Sequence, residues 1–121
     1  MTVMVVDDNH IVRFLWRKLL EKSGNHVILA ENGLDAVKMA QSKLPDLIFM
    51  DINLPLLDGY EATRRLREHP GTKATPIVAF SADDTPEVRA QARDAGCDDF
   101  VSKKIDLDKL DAILSRFTGR V

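Results

Sequence analysis

Five short apolar runs alternate with longer stretches in which apolar residues recur at helical spacing. The runs fall at residues 3–6, 26–30, 46–50, 76–80 and 99–101. Those at 3–6, 47–50 and 77–80 are apolar throughout, the pattern of parallel strands covered on both faces. Between them Val12, Leu15 and Leu19 keep a helical period, as do Val88, Ala92 and Ala95. Leu107, Leu110, Leu114 and Phe117 do the same in the last segment. Trp16 falls beside the first stripe, which Val12, Leu15 and Leu19 already define without it.

The punctuation agrees with this division. Gly24 closes the first predicted helix as a C-terminal glycine does, and Asn32-Gly33 opens the second. Thr85-Pro86-Glu87 reads as an N-cap, a proline at the first helical position and an acid in the first turn. Asp8 or Asn9 can cap the first helix and Asp106 the last. Asp58-Gly59 reads as a turn without a chemical role, and Arg64-Arg65-Leu66-Arg67 as the solvated face of the third helix. Five βα units in series predict a doubly wound α/β fold, a parallel sheet with right-handed crossovers. Such sheets bear their working site beyond the carboxyl ends of the strands, at a switch in strand order.

Composition narrows the classes. The 121 residues suit one domain spanning 1–121, and 45% hydrophobic with 30% charged residues is ordinary for a soluble globular chain. A net charge of -2 argues against a dedicated nucleic-acid binder. Cys97, the single cysteine, can form neither an internal disulfide nor a zinc cluster, which points to a reducing compartment. No apolar run approaches the roughly 20 residues that a membrane span needs. The first strand begins too near the N-terminus to leave room for a signal peptide. The expectation is a cytoplasmic chain without a membrane anchor. His10, His26 and His69 are scattered, so spacing marks none of them as a ligand or phosphodonor.

Chemistry gathers at the ends of the runs. Asp7 and Asp8 end the first, Asp51 ends the third, Ser81 ends the fourth, and Lys103 follows the fifth. Carboxylates crowded at one sheet edge repel one another unless a cation compensates, and an all-oxygen donor set suits magnesium. With a hydroxyl and an ammonium added, the site has donors for phosphoryl oxygens and a carboxylate able to form an acyl phosphate. Singly, each residue has a plainer explanation: an acidic pair is a cap, Ser81 a cap, Phe100 core, Lys103 a solvated lysine. Their joint placement outweighs those readings.

Asp7-Asp8, Met50-Asp51, Leu54-Pro55, Asp58-Gly59, Ser81-Ala82 and the stretch from Gly96 through Asp98-Asp99-Phe100 to Lys103 resemble the receiver domain of two-component response regulators, over essentially the whole chain. The resemblance implies a flavodoxin-like five-stranded sheet of order 2-1-3-4-5. It implies that Asp51 is the phosphoacceptor and that magnesium is held by Asp8, by Asp7 through water, by Asp51 and by the backbone carbonyl of Asn53. Ser81 and Lys103 would bind phosphoryl oxygens, Phe100 would turn with the switch, and Asn53 and Asp83 would tune dephosphorylation. The implied event is phosphoryl transfer from the phosphohistidine of a sensor histidine kinase or histidine phosphotransfer protein. The donor would dock near Asn9, His10, Arg13 and Phe14. A downstream protein target would read the fourth helix, fifth strand and fifth helix, roughly residues 86–117, and a phosphorylation-dependent dimer is a further expectation.

One position departs from the family pattern. Lys104 stands where the family has a proline after a cis bond; a non-proline cis bond costs about 3–4 kcal/mol against roughly 0.5–1 for proline. The expectation is a trans bond and looser control of Lys103. Ser81 replaces the family's commoner threonine and keeps the hydroxyl. Two other classes compete. An aspartate-nucleophile phosphatase of the haloacid-dehalogenase type needs an acid where Asn53 stands. A phosphate sink, or a module that binds without phosphorylation, shares the fold. Only four residues follow Phe117, so the chain reads either as a stand-alone receiver or as part of a larger regulator or hybrid kinase.

Overall fold

The structure, a computed structural model, describes residues 1–103 and 107–118. Five strands and five helices alternate: β1 (Thr2–Val6), α1 (His10–Lys22), β2 (His26–Ala30), α2 (Gly33–Lys43), β3 (Leu47–Asp51), α3 (Gly59–Glu68), β4 (Ile77–Ser81), α4 (Pro86–Ala95), β5 (Asp99–Ser102) and α5 (Leu107–Thr118). The strands are parallel and lie in the order β2-β1-β3-β4-β5, as the resemblance implies. The Lys103–Lys104 bond and the Asp106 cap lie outside the described residues.

Both faces of the sheet are covered, which is why its inner strands carry no polar alternation. Val3, Val5, Phe49, Val78 and Phe80 face α1 and α5, meeting Trp16, Leu20, Leu110, Ile113 and Leu114. Met4, Val6, Ile48, Met50 and Ile77 face the other way, against Ala36 and Ala40 of α2 and Ala62 and Leu66 of α3. Alanines on that side let the helices lie close to the strands. The side chain of Trp16 fills the deeper space opposite, its ring centroid 4.8 Å from Phe49 and 5.2 Å from Phe80.

That placement corrects the stripe expected on α1. Trp16 and Leu20 are the buried residues, with Val12 and Leu19 partly covered, whereas Leu15 is 54% exposed. Both residues satisfy a helical period; the rotation of α1 favours the larger apolar surface, with its greater gain on burial.

The caps follow the sequence closely. Asn9 caps α1, its side-chain oxygen accepting from the Ile11 and Val12 N–H groups, and this leaves the Asp8 carboxylate free. Asn32 and Thr85 cap α2 and α4, with Pro86 in the first turn of α4. Gly24, at φ +87°, follows the end of α1 in the left-handed region. Arg67 is not part of a wet face. It donates to the carbonyls of Gly96 (2.9 Å) and Thr75 (2.6 Å) and pairs with Asp98 (2.8 Å), tying α3 to the entrance of β5.

We expect Trp16→Ala to cost about 3–5 kcal/mol of unfolding free energy and Leu15→Ala to stay within roughly 0.5 kcal/mol of wild type, measured by urea denaturation. Equal losses at the two positions would contradict the observed rotation of α1.

Candidate functional site

Asp51 is the last residue of β3, and its side chain has no solvent exposure. Its Oδ1 accepts from the Asn53 N–H at 3.0 Å and its Oδ2 from Lys103 Nζ at 2.9 Å. Asp7, just past β1, is equally buried, and its Oδ1 accepts from the Asn9 N–H at 2.8 Å. Its Oδ2 is buried 3.1 Å from Lys103 Nζ, an ion-pair distance, and has no well-aligned hydrogen-bond partner among the described residues. Asp8 is exposed beside it. Asp7, Asp8 and Asp51 each bring a carboxylate oxygen within 4.8 Å of the others. β1, β3 and the end of β5 thus deliver three acids and one base to a single mouth.

The backbone holds this arrangement. The Lys103 N–H donates to the Ser81 carbonyl at 2.9 Å, continuing the β4–β5 ladder one residue past β5. That bond holds the Lys103 backbone from its amino side. Gly59 starts α3 directly against β3: a Cβ there would lie 2.2 Å from the Asp51 carbonyl oxygen. Asp58 caps that helix by accepting from the Glu61 N–H at 2.9 Å. The Asp58-Gly59 pair therefore does more than turn the chain; it supports the backbone beneath Asp51. A glycine directly after a capping residue was the available signal.

Arg13 was also missed. The sequence groups it with docking residues, but its side chain is only 12% exposed and turns inward. Its Nη1 donates to the Asp7 carbonyl at 2.7 Å while Nη2 lies 3.5 Å from Glu31. The Asp7 carbonyl belongs to the peptide plane that joins Asp7 to Asp8, so Arg13 braces the backbone between the two acids.

Electrostatically the mouth holds more negative than positive charge. Burial pushes the Asp51 carboxyl from 3.8 up to about 6; the Asn53 N–H and the Lys103 hydrogen bond oppose that rise, and the Asp7 charge adds to it. Burial works against the Lys103 charge too, but its bond to Asp51 and the charges of Asp51 and Asp7 outweigh this and raise its pKa.

A family model of the response regulator receiver domain matches residues 3–115. The chain belongs to the response regulator receiver domain family. Among relatives of this receiver, a polar-differentiation response regulator DivK of Brucella anthropi is 34% identical over 118 residues, spanning 98% of this chain and 96% of its own. A hybrid signal transduction histidine kinase G of Dictyostelium discoideum is 40% identical over 118 residues, 95% of this chain but only 3% of the kinase. Among solved structures, the receiver domain of the sensor histidine kinase PA1611 of Pseudomonas aeruginosa is 33% identical, with a TM-score of 0.91 and 98% and 97% of the two chains covered. That structure has a magnesium ion coordinated in its active-site cleft. The receiver domain of Ssk1 from Saccharomyces cerevisiae, solved with the histidine phosphotransfer protein Ypd1, is 28% identical with a TM-score of 0.88, covering 97% and 88%.

The remaining expected residues ring the same mouth of this receiver. Ser81 ends β4 without exposure, and its Oγ accepts from the Asp83 N–H at 3.1 Å. Asn53 and Asp83 are exposed at the rim. Phe100 sits earlier on β5, buried in one apolar cluster with Ile52, Ala79 and Ala92. The acidic cluster suits a hard divalent cation: every donor is oxygen, and among the described residues the buried Asp7 Oδ2 has no well-aligned hydrogen-bond partner. Cys97 is partly buried, and burial pushes its thiol up, the opposite of what a reactive thiol needs.

A pH dependence follows in metal-free solution. Because folding raises the Asp51 pKa from 3.8 to about 6, its protonated form is favoured by the fold. That contribution is complete below about pH 4 and is lost as pH rises through about 6, leaving the ionised group costing on the order of 3 kcal/mol at pH 7.5. We expect Asp51→Asn in chelator to be more stable than wild type at pH 7.5, with the gap closing by pH 4. Urea titrations at each pH check this; a gap independent of pH would remove burial as its cause.

Proposed function

We propose that this receiver accepts a phosphoryl group on Asp51 from the phosphohistidine of a sensor histidine kinase or a histidine phosphotransfer protein. The observation that carries this reading is the buried Asp51 carboxylate at the strand mouth, 2.9 Å from the Lys103 ammonium and beside Asp7 and Asp8. A lone pair of an Asp51 carboxylate oxygen forms the new O–P bond while the donor's N–P bond breaks and its electrons return to the imidazole nitrogen. Lys103 is placed to donate to the phosphoryl oxygens, and the Ser81 hydroxyl supplies a second donor from β4. Asp7, Asp8, Asp51 and the Asn53 carbonyl would hold magnesium, which supplies positive charge against the phosphoryl oxygens. Asn53 and Asp83, exposed at the rim, flank the path of a hydrolytic water.

The donor surface is α1 with the loop after β3. Ile11, Phe14 and Leu15 of α1 are each more than half exposed, and Leu56, in the loop after β3, is three-quarters exposed. An apolar patch of this kind suits a helical partner, and Arg13, already committed to Asp7, is not part of it. Output runs through α4, β5 and α5 to a protein target, with dimerisation on phosphorylation as one form it takes. Among the described residues no helix is long and apolar enough to cross a membrane, consistent with the cytoplasmic setting we assign.

Incubation with magnesium and acetyl phosphate should add one phosphoryl unit by intact mass, absent in Asp51→Ala and in chelator. An adduct that survives Asp51→Ala would sink the assignment. Arg13→Ala should raise the magnesium concentration for half-maximal phosphorylation several-fold with little change at saturation, because it loosens the backbone between Asp7 and Asp8 and removes neither acid. Calorimetric titration of magnesium provides an independent check, and an unchanged affinity would leave Arg13 a purely structural tie.

A further inference from the structure

The loop after β3 contains a turn that folding alone does not favour. The Leu57 N–H donates to the Pro55 carbonyl at 2.7 Å across Leu56, whose φ is +67°. A hydrogen bond over a single residue at positive φ is the rare, strained form of γ-turn, in a region where a Cβ is unwelcome. Glycine would ease the turn, yet a leucine stands there with 76% of its surface open to solvent. The fold therefore carries backbone strain and an exposed apolar side chain at one position, and neither adds to its stability.

The surroundings hold that turn in place. On either side of it Leu54 and Leu57 pack against the core cluster that contains Met4, Ile48 and Met50. The Gly59 N–H donates to the Ile52 carbonyl at 3.1 Å and closes the loop at its base. From α2, Gly33 comes so near that a Cβ on it would overlap the Leu57 carbonyl oxygen. The position of Leu56 is also bounded relative to the chemistry. It is the fifth residue after Asp51, and at roughly 3.3–3.6 Å per residue the two lie less than about 18 Å apart. A standard protein interface covers about 800 Å² of each partner, a disc roughly 16 Å in radius. A protein that brings a phosphohistidine to Asp51 thus has a footprint that reaches this loop.

We propose that Leu56 is a recognition anchor: the strained turn holds its side chain outward, ahead of binding, for an apolar socket on the protein that delivers the phosphoryl group. The inference rests on the phosphoacceptor reading above and deepens its donor surface. A side chain fixed before docking loses little freedom on docking, so a clamped loop avoids an ordering cost that a flexible one carries. Strain kept in a loop beside a reacting group is the counterpart of that arrangement. An anchor and a chance leucine respond differently to substitution. Removing the anchor weakens donor recognition while the fold loses nothing; removing a chance leucine leaves recognition as it was.

The experiment compares two routes to the same phosphorylated receiver: acetyl phosphate, and a panel of purified phosphohistidine proteins that includes the phosphotransfer protein Ypd1. The fastest protein donor is carried forward. For Leu56→Gly and Leu56→Ala, kcat/KM with that donor relative to acetyl phosphate should fall about tenfold, as expected for one leucine side chain buried on docking. The fall should lie mainly in KM, and Leu56→Met, similar in volume, should recover most of it. In urea, Leu56→Gly should unfold at a midpoint no lower than wild type, because it relieves the turn. An unchanged ratio in Leu56→Gly would overturn the anchor; weaker dimerisation of that phosphorylated variant in sedimentation would then assign the leucine to a second copy of the chain. A midpoint that drops together with the ratio would overturn it too, as the mark of a structural residue. Wild type phosphorylated by acetyl phosphate but by no protein donor would overturn recognition at Leu56 and leave Asp51 as the acceptor. No adduct from either source would overturn the phosphoacceptor reading itself.

Discussion

The Lys103 ammonium stands between two carboxylates that have no contact with solvent, 2.9 Å from one and 3.1 Å from the other. Taking ions out of water is costly unless they are paired and hydrogen-bonded, and one cation cannot neutralise two anions. The rest of the structure at this end of the sheet reads as a response to that imbalance. Asn9 and Asn53 each give a backbone N–H to a carboxylate, Arg13 braces the Asp7 carbonyl, and the exposed Asp8 stands beside them. The charge left over is negative. Burial raises the Asp51 pKa and the Asp7 charge adds to that rise, against the Asn53 N–H and Lys103, and the excess negative charge makes the mouth suited to a divalent cation.

Holding like charges together requires a frame that cannot relax. The parallel ladder supplies it, with each acid at or just past the end of a strand whose side chains are buried on both faces. The two faces are filled differently. Bulky rings stack beneath α1, while alanines let α2 and α3 press close. Close approach continues at the site itself, where Gly59 lets α3 begin against the Asp51 carbonyl. A rigid base of strands with charged groups on the loops above it is how such folds combine a stable core with a site able to change state. Ile52, directly after Asp51, shares a small apolar cluster with Phe100, so the acid and the aromatic on the output side are neighbours through one residue.

Much of this was legible without coordinates. Continuous apolar runs marked parallel strands, and polar residues at their ends marked the mouth, because a strand buried on both faces can afford charge only where it emerges. Asn32 and Thr85-Pro86 cap the helices the pattern assigned to them. Other points were ambiguous for physical reasons. Trp16 and Leu15 both satisfy a helical period, and only the docking of α1 on Phe49 and Phe80 chose between them. Asp8 and Asn9 both cap well, and the need for a free carboxylate is invisible locally. Arg67 looked solvated because its partners, Gly96, Thr75 and Asp98, come from other parts of the chain.

The sequence by itself determined the alternation of elements, the family and the identity of the residues at the mouth, since all three follow from local pattern and order along the chain. Tertiary structure alone decided which charges meet, at what distance and with which neighbours. Arg13 behind Asp7, Gly59 beneath Asp51 and Arg89 over Phe100 are such decisions. Burial, and with it the strength of every charge interaction, depends on what the rest of the chain places around a group. No run of neighbouring residues encodes that.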